Sequence, residues 1–278
     1  MEASIPELRR QALRIRRYIL RLVRAGKAGH VGGALSAADL AAVLFFAAMQ
    51  MRPDEPDWPD RDRFVLSAGH KAMLLYAALA ARGIIPEDLL DTYGNFGSAL
   101  PGHPDMHKLP GVEASTGALG HGLALAVGMA LGLRSSGRSS RVFVLMGDGE
   151  QAEGSIWEAA AAASHHRLAN LVGIVDCNGL QISGPTAEVM SYEPLHERWR
   201  AFGWAVQRID GHDLPRILGT LAAVPFRPDR PSLIVADTVK SRGVSFMEGK
   251  VEYHYWKPPA AELARAEREL EVAAEVAA

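Results

Sequence analysis

Two short apolar runs, Val142 to Met146 and Leu171 to Val175, constrain this chain more than any other feature. Each has strand length, is rich in branched residues and lacks polar alternation. Each therefore reads as a buried strand of a sheet covered on both faces. The first run stops at Gly147-Asp148-Gly149 and the second at Asp176-Cys177-Asn178-Gly179. An alanine-rich helical stretch from about Ser155 to His166 lies between them and completes a βαβ unit with a crossover of ordinary size. In a right-handed crossover both strands point the same way. Their carboxyl ends then meet on one rim, which is where open α/β sheets bind ligands.

Asp148 and Asn178 sit just past those two ends, about thirty positions apart. A carboxylate and an amide oxygen are hard donors, suited to Mg²⁺ or Ca²⁺ and not to a soft metal. Mg²⁺ ordinarily takes few protein ligands and completes its shell with water and phosphate oxygens. Gly147 and Gly149 would let a phosphate approach the backbone and would leave the next helix's N-terminus open to it. Gly-Asp-Gly alone is an ordinary strand-ending turn. The pair, at this spacing and after two buried strands, is much more specific.

The flanking sequence extends the same pattern. Pro6 to about Ala25 reads as an amphipathic helix whose arginines Arg9, Arg10, Arg14, Arg16 and Arg17 form a solvated face. Gly26 to Gly33 reads as a flexible polar break. Ser36 to Asp39 then gives a capping-box-like start to a buried helix running to Met49. Arg63 to Leu66 is a short strand, Lys71 to Ala81 a helix, and Gly83 to Gly117 a long irregular segment of the kind that is usually functional or disordered. His121 to Leu133 reads as a buried helix. Trp204 to Ile209 and Leu233 to Ala236 read as two further strands, and Asp237 to Tyr255 as a loop. Five strands separated by helices imply an α/β fold with a doubly wound, mostly parallel sheet and helices on both faces. We expect one domain over residues 1–278, with 260–278 a charged terminal helix.

Several function classes are excluded early. The formal net charge is −2 with no basic stripe, which gives no footprint for nucleic acid. The longest apolar helix, Leu40 to Met49, is about half of what a bilayer needs, and the N-terminus lacks a secretory apolar region. The single cysteine, Cys177, precludes an internal disulfide framework and fits a reducing, cytoplasmic setting. We read Cys177 as a small packed thiol, the tryptophans as packing, and His165 and His166 as solvent-facing.

The stretch Gly147 to Asn178 resembles the diphosphate–metal motif of thiamine diphosphate enzymes, and GDGEQAEGSIWEAA within it resembles transketolase. By that resemblance Asp148, Asn178 and the Leu180 carbonyl would hold Mg²⁺ (or Ca²⁺). Gly149 would face the diphosphate, and Glu153 would lie near the aminopyrimidine end at a dimer contact. GHVGG, SAGHK and LPGHP resemble three further transketolase motifs. Through them His30 and His103 would face a sugar substrate, and His70 the diphosphate and substrate. Imidazoles suit this chemistry, since they move protons near neutral pH and hydrogen-bond hydroxyls. Gly117 to Gly122 fails as a dinucleotide fingerprint because its spacing is GxxGxG. It resembles the loop that lies against the thiamine ring through Gly117 and Leu119, with His121 where the family commonly has Gln. Lys240 and His254 match groups that reach the diphosphate and the reacting centre. Tyr255 stands where the family usually has Gly and could narrow the site.

The resemblance runs from about residue 8 to 258 and matches only the diphosphate-binding half of an ordinary transketolase. It implies an N-terminal subunit paired with a separate C-terminal chain, as α₂β₂, that supplies the pyrimidine-binding domain, the activating glutamate and most of the sugar phosphate contacts. The assembly would transfer a two-carbon ketol unit from a ketose to an aldose. A related thiamine-dependent carboligase of specialised metabolism and a non-catalytic module keeping the fold are the alternatives.

Overall fold

Each apolar run read as a strand forms one. The computed structural model describes residues 4–276. β1 (Arg63–Leu66), β2 (Val142–Gly147), β3 (Leu171–Cys177), β6 (Ala205–Asp210) and β7 (Ser232–Asp237) make one parallel sheet in the order β1-β2-β3-β7-β6. A small antiparallel hairpin, β4 (Leu180–Gln181) with β5 (Gly184–Pro185), follows β3. The sequence pattern does not announce it, because two-residue strands leave no periodicity to detect.

The helices are α1 (Ile5–Gly26), α2 (Val31–Ser36), α3 (Ala38–Val43), α4 (Ala72–Arg82), α5 (Gly122–Ser135), α6 (Gly154–His165), α7 (Thr186–Val189), α8 (Leu195–Ala201), α9 (Leu214–Ala222) and α10 (Ala260–Val276). Alternation along β2 divides them into two layers. Phe143 and Leu145 join the core formed with α1 to α4, α9 and α10, while Val142, Val144 and Met146 join the core formed with α5, α6 and α8. Both faces of the strand are buried, which is why its sequence is continuously apolar. Trp199 and Trp204 pack edge-on at 4.8 Å inside the second core, and His165 and His166 are exposed.

Four local expectations are corrected. The break after α1 is shorter than Gly26 to Gly33, because Val31 to Gly33 are buried in α2. Gly32 and Gly33 serve close packing: a Cβ on Gly32 would stand 2.7 Å from the Tyr253 carbonyl oxygen and one on Gly33 2.8 Å from the Lys71 side chain. Ser36 caps nothing; it ends α2 and its hydroxyl donates to the Gly33 carbonyl and to Asp176. Arg16 is not on the solvated face of α1 but buried, in a bidentate pair with Asp39 at 2.9 and 2.7 Å. Finally, α5 is buried on one side only, with Ala124, Leu125 and Gly128 exposed.

Candidate functional site

The site grows from one register. Gly147 at the end of β2 pairs with Asp176 on β3, so Asp148 and Asn178 emerge on the same rim, as the βαβ reading requires. A cavity of about 230 Å³ opens there, lined among others by His30, His70, Lys71, Leu119, Asp148, Gly149, Asn178, Leu180, Lys240 and His254. Asp148 is buried; one carboxylate oxygen accepts from the Gly149 N–H at 2.8 Å and the other from the Gly179 N–H at 2.6 Å. Burial, and then the charge of Asp176, push its carboxyl above the usual carboxylate range.

Beneath it Asp176 is fully buried and accepts from Lys71 Nζ at 2.6 Å, from Ser36 and Thr238 hydroxyls and from Asn178 Nδ2 at 3.3 Å. Burial alone would raise this carboxyl, but the Lys71 ammonium and those donors hold it low. Glu150 is also buried, accepting from the Ser67 hydroxyl and the N–H groups of Gly147 and Gly120 at 3.0 and 2.9 Å. It ties the loop before α5 to the end of β2. Gly122 at the start of α5 is required by packing, since a Cβ would stand 2.5 Å from Ser67.

The histidines gather although their motifs are far apart in sequence. Ring centroids are 5.2 Å apart for His30 and His70, 5.5 Å for His30 and His254, and 5.4 Å for His70 and His254, the last pair stacked. Burial and the neighbouring Lys71 push His70 down to about 2, and burial and Lys240 push His254 down to about 3. His30 is lowered by burial and by His103. These imidazoles are therefore neutral at pH 7, where they can give and take hydrogen bonds, and the two lowest are weak bases. Lys240 donates to the Leu180 carbonyl at 3.0 Å and contacts His254 Nδ1 at 3.1 Å. Burial and the charge of Lys71 bring it down to about 8.

The remaining expected residues lie around this centre. His103 is exposed, 6.3 Å from His30, and a Cβ on Gly117 would be 3.5 Å from its ring. Glu153 is half-buried against Gly120, outside the cavity lining. Tyr255 is 46% exposed and packs edge-on against His30 at 4.8 Å, at the mouth. His121 points its Nδ1 to the Leu119 carbonyl and is exposed. Cys177 is half-buried, and burial and Asp148 push its thiol up to about 12, so it is no reactive thiolate. Sequence reasoning missed Lys71, Asp176, Glu150, Gln181 and Ile182 as parts of the site. Lys71 and Asp176 adjoin or nearly adjoin residues it did select, and proximity in the motif was the available signal.

The residues fit a diphosphate with a hard cation. Asp148, Asn178 and the Leu180 carbonyl offer oxygen donors only. The Asp148 carboxylate is buried at the cavity wall, and the Leu180 oxygen already receives a cation, the Lys240 ammonium. Gly147, Gly149, Lys71 and Lys240 line the same cavity, a combination of bare backbone and positive charge that receives phosphate.

Residues 9–275 match the family model of "Transketolase, thiamine diphosphate binding domain". The chain is 44% identical over 267 residues, covering 96% of itself and 95% of the relative, to a Phocaeicola vulgatus protein named as one subunit of an apulose-4-phosphate transketolase. It is 43% identical, covering 92% of itself and 96% of the relative, to a protein of Clostridium sp. strain MSTE9 named as a 6-deoxy-6-sulfo-D-fructose transketolase subunit. Its fold superposes on the transketolase of Campylobacter jejuni with a TM-score of 0.91 and 31% identity, covering 96% of this chain but only 43% of that one. The chain thus spans under half the length of a solved transketolase.

Proposed function

This chain belongs to the transketolase thiamine diphosphate-binding domain family, and from that premise we propose that it is the N-terminal subunit of a two-chain transketolase. One observation carries the proposal: the chain matches nearly the whole length of relatives named as subunits, yet under half of a solved transketolase. A separate chain with the pyrimidine-binding half would complete the site, as α₂β₂. The exposed Leu125 on α5, with Ile182, Val189 and Met190 after β4, supports a surface that another chain covers. The reaction is transfer of a two-carbon ketol unit from a ketose phosphate to an aldose phosphate.

Thiamine diphosphate, when bound, supplies the nucleophilic carbon and the electron sink for breaking and making a bond next to a carbonyl. The chain's residues supply binding, orientation and proton handling. Asp148, Asn178 and the Leu180 carbonyl would hold Mg²⁺, and Gly149 would face the phosphates with Lys240 and His70. Leu119 and Gly117 would lie along the cofactor, with Glu153 toward the second chain. His30, His103 and His254 present imidazoles to the mouth, where they would orient and exchange protons with substrate hydroxyls. The neutrality of His30 and His254 suits hydrogen bonding to substrate hydroxyls.

The test is co-expression with the chain that co-purifies in stoichiometric amount, followed by titration calorimetry with thiamine diphosphate. We expect Mg²⁺-dependent binding in the complex, ketol transfer from a ketose phosphate panel, and weak or no cofactor binding by this chain alone. A complex that binds no thiamine diphosphate would overturn the reading.

A further inference from the structure

Asp39 and His212 have no place in the site described above, and neither lines its cavity. Yet with Arg16 they form a buried polar network of unusual direction. Asp39 sits in α3 and accepts from both terminal nitrogens of Arg16 on α1. It also meets His212 Nδ1 at 2.7 Å. His212 lies just before α9, and its other nitrogen, Nε2, accepts from the Val239 N–H at 2.8 Å. The tautomer follows from these partners: Nδ1 carries the proton toward the carboxylate, leaving Nε2 a lone pair for the backbone. Arg16 Nε donates to the Arg242 carbonyl at 2.9 Å.

Both outer ends of the network therefore grip backbone groups that bracket Lys240, one residue before it and two after. The bracketed turn is one that a free loop would leave. Ser241 is buried with φ 63, a conformation a non-glycine residue adopts only when its surroundings impose it, and its N–H donates to the Gly32 carbonyl at 2.9 Å. Gly243 has φ 100, and a Cβ there would stand 2.9 Å from the Arg16 side chain. A buried ion pair is weak grounds for stability, since desolvation offsets most of its attraction. A clamp on a strained turn gives it a use.

Resting on the functional reading above, we propose that Asp39 and His212, with Arg16, are positioning residues that hold the 238–243 turn so that Lys240 faces the Leu180 carbonyl and His254. They touch neither cofactor nor substrate; they act through Val239 and Arg242. Removing the clamp lets the turn relax and withdraws the ammonium from the diphosphate end of the site.

Two amide variants of His212 separate this role from plain structural support. His212→Gln places an amide oxygen near the old Nε2, where it can accept from Val239, and gives up the Asp39 bond. His212→Asn keeps a donor near Asp39 and cannot reach Val239. Calorimetric affinity for thiamine diphosphate with Mg²⁺ is measured in the assembled two-chain complex, together with thermal midpoints, in the wild-type and Lys240→Ala backgrounds. We expect His212→Asn to weaken binding about tenfold and His212→Gln to stay within about threefold. The difference should vanish when Lys240 is alanine. Equal losses, the reverse order, or a difference that persists without Lys240 would overturn the clamp while the functional reading stands. A wild-type complex that binds no thiamine diphosphate would overturn the reading itself and the clamp with it.

Discussion

At the floor of the site, Asp148, Asp176, Lys71 and Lys240 are buried and held by strand ends, backbone N–H groups and one another. At its mouth, His103 and Gly117 are exposed, Tyr255 is nearly half exposed, and all three come from loops. The floor is complete within this chain because a parallel sheet aligns its carboxyl ends without outside help. The mouth is unfinished because none of the described residues covers it, and a second chain is the proposed cover. Binding of the anionic end of a cofactor should therefore depend on this chain's interior, and substrate handling on groups that cost its fold nothing.

The sharpest way to break that contrast is at the proposed metal site. Asp148→Ala should abolish Mg²⁺-dependent thiamine diphosphate binding in the assembled enzyme, read by calorimetry; unchanged affinity would remove Asp148 from the metal site. Next comes Lys71→Met, which leaves Asp176 as an uncompensated buried charge. It should cost about 3–5 kcal/mol in urea denaturation of the chain. A loss under about 1 kcal/mol would mean that the Ser36 and Thr238 hydroxyls suffice to hold the carboxylate.

His103→Ala probes the mouth. Ketol transfer by the complex should fall about a hundredfold, while denaturation of the free chain shifts by less than about 0.5 kcal/mol. Equal damage to both would show that the mouth is as structural as the floor. A further probe concerns pH. His70 and His254 are held neutral in the fold, down to about 2 and 3, whereas unfolded histidine takes a proton below the ordinary 6.5. The unfolded chain thus binds more protons between those values, so this stabilisation is full above about pH 6.5 and is lost as pH falls. Denaturation curves from pH 7 to 5 should show the loss, and His70→Gln should flatten it; a slope identical to wild type would place the acid sensitivity elsewhere.

Much of this was legible in the sequence because it depends on neighbours along the chain. The β2–α6–β3 unit and the positions of Asp148 and Asn178 followed from two apolar runs and two turns, since side-chain burial in a covered sheet leaves a continuous apolar signal. The Gly-His segments were visible as candidates. Their convergence was legible only through the family resemblance and not from local pattern, since His30, His70 and His254 lie in three segments brought together by α2, the end of β1 and the loop after β7. Ser36 shows the opposite failure. Its local pattern reads as a helix cap, and only the approach of β3 turns its hydroxyl to Asp176 instead.

By itself, then, the amino-acid order determined the five strands of the parallel sheet, their common rim and the oxygen donors at their ends. Those rest on periodicity and turn chemistry that act over a few residues. Tertiary structure alone decided that Arg16 is buried, that Lys71 neutralises Asp176, and that Asp39 and His212 reach the backbone around Lys240. A polar side chain carries the same letter whether water or a buried partner surrounds it. Which of the two it meets depends on segments far away in sequence, and the charge pairing that makes burial tolerable exists only once those segments have packed.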